Sequence, residues 1–191
     1  SAQDLLSVFV TLEFSTFGFY VLVAYLREDA RSSEAGLKFF ILGVFAAGLL
    51  VYGISLVYGE TGTLVFSEMA DAPGSYGLAI GFIMIFAALG FKIGSVPFHS
   101  WIPDTYQGAP TPVTAFLSIA PKGAALAILI RMFYVGLAAF KPMWVLLFVV
   151  ASIMSMTYGN IVAIAQKNIK RLLAYSGICL LYTSPSPRDR G

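Results

Sequence analysis

Glu13, Lys92 and Lys122 are charged residues set inside long apolar stretches. Glu13 is the only charge between Leu5 and Leu26. Lys92 closes the apolar run Leu78–Phe91, and Lys122 lies within Val113–Phe140 just after Pro121, which is expected to perturb that helix. A lysine or acid at the centre of a membrane helix costs about 2.5–3.5 kcal/mol on insertion scales, so such groups face a bundle interior and carry function. The chemistry open to a carboxylate and two amines at that depth is uptake and release of protons, because a neighbouring charge and burial push an amine in opposite directions. Directly after Lys92 the chain reads Ile93-Gly94-Ser95-Val96-Pro97-Phe98-His99. Proline removes a backbone donor and clashes with the preceding turn, so the helix carrying Lys92 is expected to break near Pro97. Broken helices of this kind mark ion and substrate sites in transporters.

Each of these residues also has a structural reading. Glu13 would then be a carboxyl bonded to a neighbouring helix, and Lys92 a lysine that snorkels to the interface; the Pro97 break argues against the second. Lys38 stands at the end of its apolar segment, where a snorkelling lysine is ordinary. His99 is the sole histidine and has no partner at metal-ligand spacing, which leaves a hydrogen-bonded structural residue or a proton relay. Asp104 and Tyr106 are expected to make structural hydrogen bonds. Arg131, Lys167, Lys170 and Arg171 read as surface or interfacial charges.

The elements that position these groups follow from composition. Of 191 residues, 58% are hydrophobic and 12% charged, with a mean hydropathy of +0.82. Soluble domains average about 45–50% apolar and about 25% charged residues, so the chain belongs with membrane proteins. A spanning helix needs about 20 mostly apolar residues. Five segments qualify: Leu5–Leu26, Leu37–Tyr58, Tyr76–Val96, Val113–Phe140 and Met143–Ala165; a sixth starts after Ile169 and stops early. The runs are too long for strands and lack alternation. The expected fold is all-α, a polytopic membrane helix bundle with one discontinuous helix. The connection 97–112 reads as a proline-rich loop with few charges.

Loop charges orient the bundle. Arg27 and Arg31 flank the first connection and Lys167, Lys170 and Arg171 follow the fifth span, while the connection from Gly59 to Ser75 carries Glu60, Glu68 and Asp71 without a lysine or arginine. Five spans put the first and last of these on one side, the cytoplasm or matrix by the positive-inside rule. Lys141 is a lone exception opposite. One cysteine, Cys179, excludes a disulfide framework and a cysteine-held iron–sulfur or zinc site within this chain. A net charge of +2 with scattered basic residues gives no nucleic-acid surface. Ser1-Ala2-Gln3-Asp4 has neither an initiator methionine nor a basic signal region, so the chain is expected to begin inside a longer protein. Residues 1–178 read as a membrane domain. Residues 179–191, ending Ser-Pro-Ser-Pro-Arg-Asp-Arg-Gly, read as a tail foreign to it.

The stretch from Phe91 to Arg131, FKIGSVPFHSWIPDTYQGAPTPVTAFLSIAPKGAALAILIR, resembles the antiporter-like membrane subunits of respiratory complex I, and the wording Tyr106–Phe116 points to one member among its paralogues. Thr11-Leu12-Glu13-Phe14-Ser15 resembles the glutamate-bearing fifth helix of that family, and Asn168–Ser176 the start of its tenth. The resemblance runs from about Asp4 to Ile178. It implies a fold of fourteen helices in two inverted five-helix repeats, of which this chain would hold helices five to nine and part of ten. It also implies that Glu13 pairs with Lys92, that Lys122 links the first half-channel to the second, and that Lys38 and His99 are auxiliary. The charge completing the second half-channel would lie beyond this stretch, and the stretch alone would be inactive.

The resulting expectation is proton translocation as a non-redox membrane subunit of a proton-pumping NADH:quinone oxidoreductase, in the bacterial inner membrane or its mitochondrial counterpart. No cofactor is expected on this chain; NADH, flavin, iron–sulfur clusters and quinone belong to partner subunits. The other membrane-arm subunits and the lipid bilayer are the expected partners. Two alternatives stand beside it: a subunit of a multisubunit sodium/proton antiporter or membrane-bound hydrogenase, and a structural membrane scaffold with buried ion pairs.

Overall fold

In the computed structural model, which describes residues 3–69, 75–136 and 141–180, the chain is helical almost throughout. The helices are α1 (Leu5–Val23), α2 (Ala30–Thr61), α3 (Phe66–Met69), α4 (Tyr76–Ile93), α5 (Trp101–Gly108), α6 (Thr111–Arg131), α7 (Lys141–Ile164) and α8 (Ile169–Leu180). A single π turn, Met132–Gly136, follows α6. Five of these elements are long and apolar enough to cross a membrane. Side-chain acceptors start four of the helices, Asn168 serving α8 by taking the Lys170 amide at 2.9 Å. Asp4 takes the Ser7 amide at 2.8 Å, Asp29 the Arg31 amide at 2.9 Å and Ser75 the Leu78 amide at 3.0 Å, satisfying donors that have no partner in the first turn.

Contacts between helix ends sort the bundle as the loop charges do. At the acidic end the Leu5 amide reaches Leu64 O at 3.0 Å and the Phe66 amide reaches Gln3 O at 3.1 Å. At the basic end Ser32 Oγ donates to Val23 O at 2.7 Å, and Lys170 Nζ donates to Ala109 O at 2.8 Å. Between them α2 and α4 cross closely. A Cβ on Gly53 would lie 2.7 Å from Gly81 O, and one on Gly81 would lie 2.9 Å from Gly53 O. Small residues at such a crossing let two backbones approach, which is how helices pack without a hydrophobic drive from lipid. One core cluster joins α1, α2, α4, α6 and α7 towards the acidic end through Leu5, Val57, Leu78, Ile85, Leu129 and Phe133. A second, around Phe39, Trp101, Ile102, Tyr106, Leu117 and Ile178, surrounds α5. Large apolar side chains elsewhere face outward, Phe14 at 83% exposure being an example, as lipid-facing positions do.

Three expectations need correction. The connection 97–112 is not a plain loop: Trp101–Gly108 is helical, so α4 and α5 are two pieces of one interrupted helix. Sequence alone misses α5 because prolines read as loop signals, whereas Pro103 sits in its first turn, where its missing donor costs nothing. Helix α6 runs unbroken from Thr111 to Arg131 with Pro121 inside it. One lost hydrogen bond is offset by packing of Leu117, Ala125 and Leu129, all buried. The second span also begins earlier than its apolar run, at Ala30, because Asp29 caps it. Of the supposed foreign tail, Cys179 and Leu180 end α8, and 181–191 lie outside the described residues.

Candidate functional site: a buried Glu–Lys pair at an interrupted helix

Helix α4 stops where Gly94 adopts φ +79°, the left-handed region that favours glycine. The freed backbone groups find specific partners. Trp101 Nε1 donates to Phe91 O at 2.8 Å, the Val96 amide donates to Ser155 Oγ of α7 at 3.0 Å, and the Ser95 amide returns to Gly90 O at 2.9 Å. Irregular backbone at membrane depth persists only when protein or water satisfies it. The Trp101 ring is stacked on Phe39 of α2 at 4.6 Å and lies 5.4 Å from Phe91, which fixes α5 against α2 and α4.

Lys92, two residues before Gly94, is buried and turns its side chain to α1. Its Nζ lies 2.8 Å from Glu13 Oε1 and donates to Thr16 Oγ1 at 2.9 Å. Only 8% of the lysine side chain and 13% of the glutamate side chain are exposed. The ammonium is therefore ion-paired with the Glu13 carboxylate across the α1–α4 contact. Thr16 in turn donates to Leu12 O at 2.7 Å, which leaves its lone pairs for the ammonium. Glu13, Thr16 and Tyr20 fall at i, i+3 and i+7, one face of α1. The Tyr20 hydroxyl is buried without a hydrogen-bond partner among the described residues, and a side chain on Gly43 would strike it. Thr16 was legible from its spacing to Glu13 but was not singled out.

Lys122 stands apart from this pair. Its Nζ is buried, has no hydrogen-bond partner among the described residues, and lies 5.5 Å from the centroid of the Tyr106 ring. His99 packs edge-on against Tyr158 of α7 at 4.6 Å, and its Nδ1 is likewise buried without a hydrogen-bond partner among the described residues. Among the described residues no three acidic, histidine or cysteine side chains gather as a metal site would require.

Lys38 belongs to a different cluster at the basic end. It pairs with Glu34 at 2.6 Å and with Asp104 of α5 at 3.2 Å, while Arg171 of α8 holds Asp104 at 2.6 Å and donates to Gln107 at 3.0 Å. These groups and Arg31 line a cavity of about 280 Å³. Asp104 thus makes structural contacts in line with its sequence reading, whereas the Tyr106 hydroxyl has no hydrogen-bond partner among the described residues. Tyr106 is buried in the core cluster around α5, a use that residue type alone does not reveal. Arg171, read as an interfacial charge, is the tie between α8 and α5.

Partial burial pushes the Asp104 carboxyl up, but the hydrogen bonds from Arg171 and Lys38 outweigh it and hold the group below its usual range. A lowered carboxyl adds stability that is present above its unfolded value near 3.9 and lost as pH falls through the folded value. Asp104→Asn is therefore expected to lower thermal stability at neutral pH by about 0.2–1 kcal/mol per exposed pair, with the difference from wild type vanishing in acid. Thermal unfolding of the detergent-solubilised protein at pH 7 and below pH 4 would measure it.

Residues 2–181 match the family described as NADH:quinone oxidoreductase/Mrp antiporter, transmembrane. The NADH-quinone oxidoreductase subunit N of Rhodospirillum rubrum is 50% identical over 183 residues, covering 93% of this chain and 38% of the relative. The chain therefore spans a little over a third of the length of such relatives. A chain of respiratory complex I from Thermus thermophilus superimposes with a TM-score of 0.81 at 38% identity, covering 95% of this chain and 39% of that one. A chain of the Mrp complex from Dietzia sp. superimposes with a TM-score of 0.87 at 23% identity, covering 94% and 34%; that likeness carries the fold alone. Shape does not separate the two assemblies, while identity favours the first.

Proposed function

The chain belongs to the NADH:quinone oxidoreductase/Mrp antiporter transmembrane family, and on that premise we propose that it moves protons as part of the membrane arm of an NADH:quinone oxidoreductase. It is an integral membrane protein of the bacterial inner membrane, with an antiporter-like helical fold. The observation that supports proton movement is the pairing of Glu13 with Lys92 at 2.8 Å, directly before an interrupted helix. A carboxylate beside a buried ammonium favours the charged form, and burial disfavours it. Closing the pair therefore holds a proton on Lys92, and opening it lets that proton go.

The break gives the pair room to open. Lys92 is the last charged residue before Gly94, and α5 beyond it is tied to α2 and α8 through Asp104. A displacement of α5 is thus transmitted to the end of α4 that carries Lys92. Energy for the displacement would come from quinone chemistry in other subunits, which also hold the NADH, flavin and iron–sulfur groups. Lys122 would take the proton onward. Its ammonium has no carboxylate beside it among the described residues, so it is free to pass the proton on rather than keep it in a pair.

The test uses the intact complex in closed vesicles. Lys92→Ala is expected to lower NADH-driven proton uptake per quinone reduced, counted per complex that native gels show assembled. An unchanged proton-to-electron ratio would sink the reading. Loss of assembly with a normal ratio in the remaining complex would favour a scaffold instead.

A further inference from the structure

Lys122 Nζ and the Tyr106 hydroxyl are both buried and both lack hydrogen-bond partners among the described residues. Such groups are costly in a membrane unless something else stabilises them. For Lys122 the stabilising neighbour among the described residues is the Tyr106 ring, whose centroid lies 5.5 Å from the ammonium. That is cation–π distance, and the attraction grows when water is removed. The tyrosine is 1% and the lysine 2% exposed, so the contact is no surface accident.

The space around them has a direction. A groove of about 530 Å³ runs between α5, α6 and α8 and is lined by Tyr106, Thr114, Ser118, Lys170, Ser176 and Gly177 among others. It reaches from Lys170 at the basic end to Gly177, where a Cβ would lie 3.3 Å from Lys122 Nζ. Thr114 Oγ1 donates to Tyr106 O and Ser118 Oγ donates to Ala115 O, so the lone pairs of both hydroxyls remain for water. Glycine at 177 leaves the ammonium a way towards that groove. The ring lies under the cation and, unlike a carboxylate, takes no proton from it.

We propose that Tyr106 is a positioning residue for Lys122: its ring face stands in for a counter-ion and keeps the ammonium beside the hydroxyl-lined groove without neutralising it. The inference rests on the proton-translocation reading above and names the group that makes Lys122 able to serve in it. Its sequence signal was slight, a tyrosine in a proline-rich connection, because the lysine it serves is sixteen residues further on and meets it only through the turn between α5 and α6. Asp104, two residues before Tyr106, ties the same short helix to Lys38 and Arg171, so the ring is held from below.

The ring's charge distribution is what the test must change, with its shape kept. In the intact complex, Tyr106→Phe retains the ring and is expected to keep the wild-type dependence of proton uptake on pH. Replacing that phenylalanine by mono-, di- and trifluorophenylalanine through suppressor incorporation weakens the ring face stepwise at nearly constant volume. Uptake is expected to fall with each fluorine, by about tenfold at the trifluoro stage. The alkaline limb of the profile should move about one pH unit lower, since a tenfold change in proton affinity is one unit. A profile that ignores fluorine content overturns the proposal, as does a Tyr106→Phe loss as large as the trifluoro one, which would assign the effect to the hydroxyl. Lys92→Ala and Lys122→Ala run alongside. If both still pump, the translocation reading falls and this inference with it; if both fail and the fluorine series is flat, only the role of Tyr106 is lost.

Discussion

Glu13→Ala is expected to destabilise the assembled complex by about 3–5 kcal/mol, the usual cost of removing one partner from a buried ion pair. Lys92 would keep Thr16 as an acceptor but lose the carboxylate 2.8 Å away, and little water reaches a side chain with 8% exposure. The paired change Glu13→Ala with Lys92→Met is expected to recover most of that loss, because a buried pair replaced by apolar groups of similar volume is often neutral. Thermal unfolding of the solubilised complex gives both values. Proton uptake should be absent in the single and the double variant alike. Recovery of stability without recovery of uptake would show that the pair is kept for chemistry and not for holding the bundle. A double variant as unstable as the single one would instead make Thr16 and the surrounding packing the source of the loss.

Gly94→Ala is the second large effect, through geometry rather than charge. Gly94 has φ +79°, and a Cβ there would lie 1.8 Å from Ile102 Cδ1. Left-handed backbone costs a residue with a side chain about 1–2 kcal/mol, and forcing extra volume into a packed core adds about 1–3 kcal/mol. The two parts can be separated. Gly94→Ala with Ile102→Val removes the Cδ1 that would clash and should recover the packing part alone, leaving about 1–2 kcal/mol from the backbone. Full recovery in the thermal unfolding of that pair would mean the positive φ is not needed. Because Gly94 sets the direction in which the chain leaves Lys92, a fall in proton uptake larger than the loss of stability is expected as well.

These two predictions differ in how far the sequence foretold them. Three charges in apolar runs were visible at once, since a membrane makes each expensive and so conspicuous. The five spans followed from run length, and the end contacts at Leu5–Leu64 and Lys170–Ala109 gather connections at the two ends that loop charge also separates. Span ends were less legible. Ala30 begins α2 seven residues before its apolar run because Asp29 caps it, and a cap is a local hydrogen bond that hydropathy does not register. The interruption after Lys92 was expected from Pro97, but the stop itself is made by Gly94.

The fold class, the number of spans and the identity of the buried charges are properties the sequence determines alone, because each depends on what a residue costs in lipid or in water. Which charges meet is different. Glu13 and Lys92 are 79 residues apart, and their contact depends on how α1 and α4 pack; from residue type and spacing the pair was not derivable without the family resemblance. Tyr106 under Lys122, Arg171 on Asp104 and Ser155 on the Val96 amide are of the same kind. Only the tertiary structure decided them, because a side chain's partner is set by helices that approach from distant parts of the chain, and burial then turns that proximity into electrostatic strength.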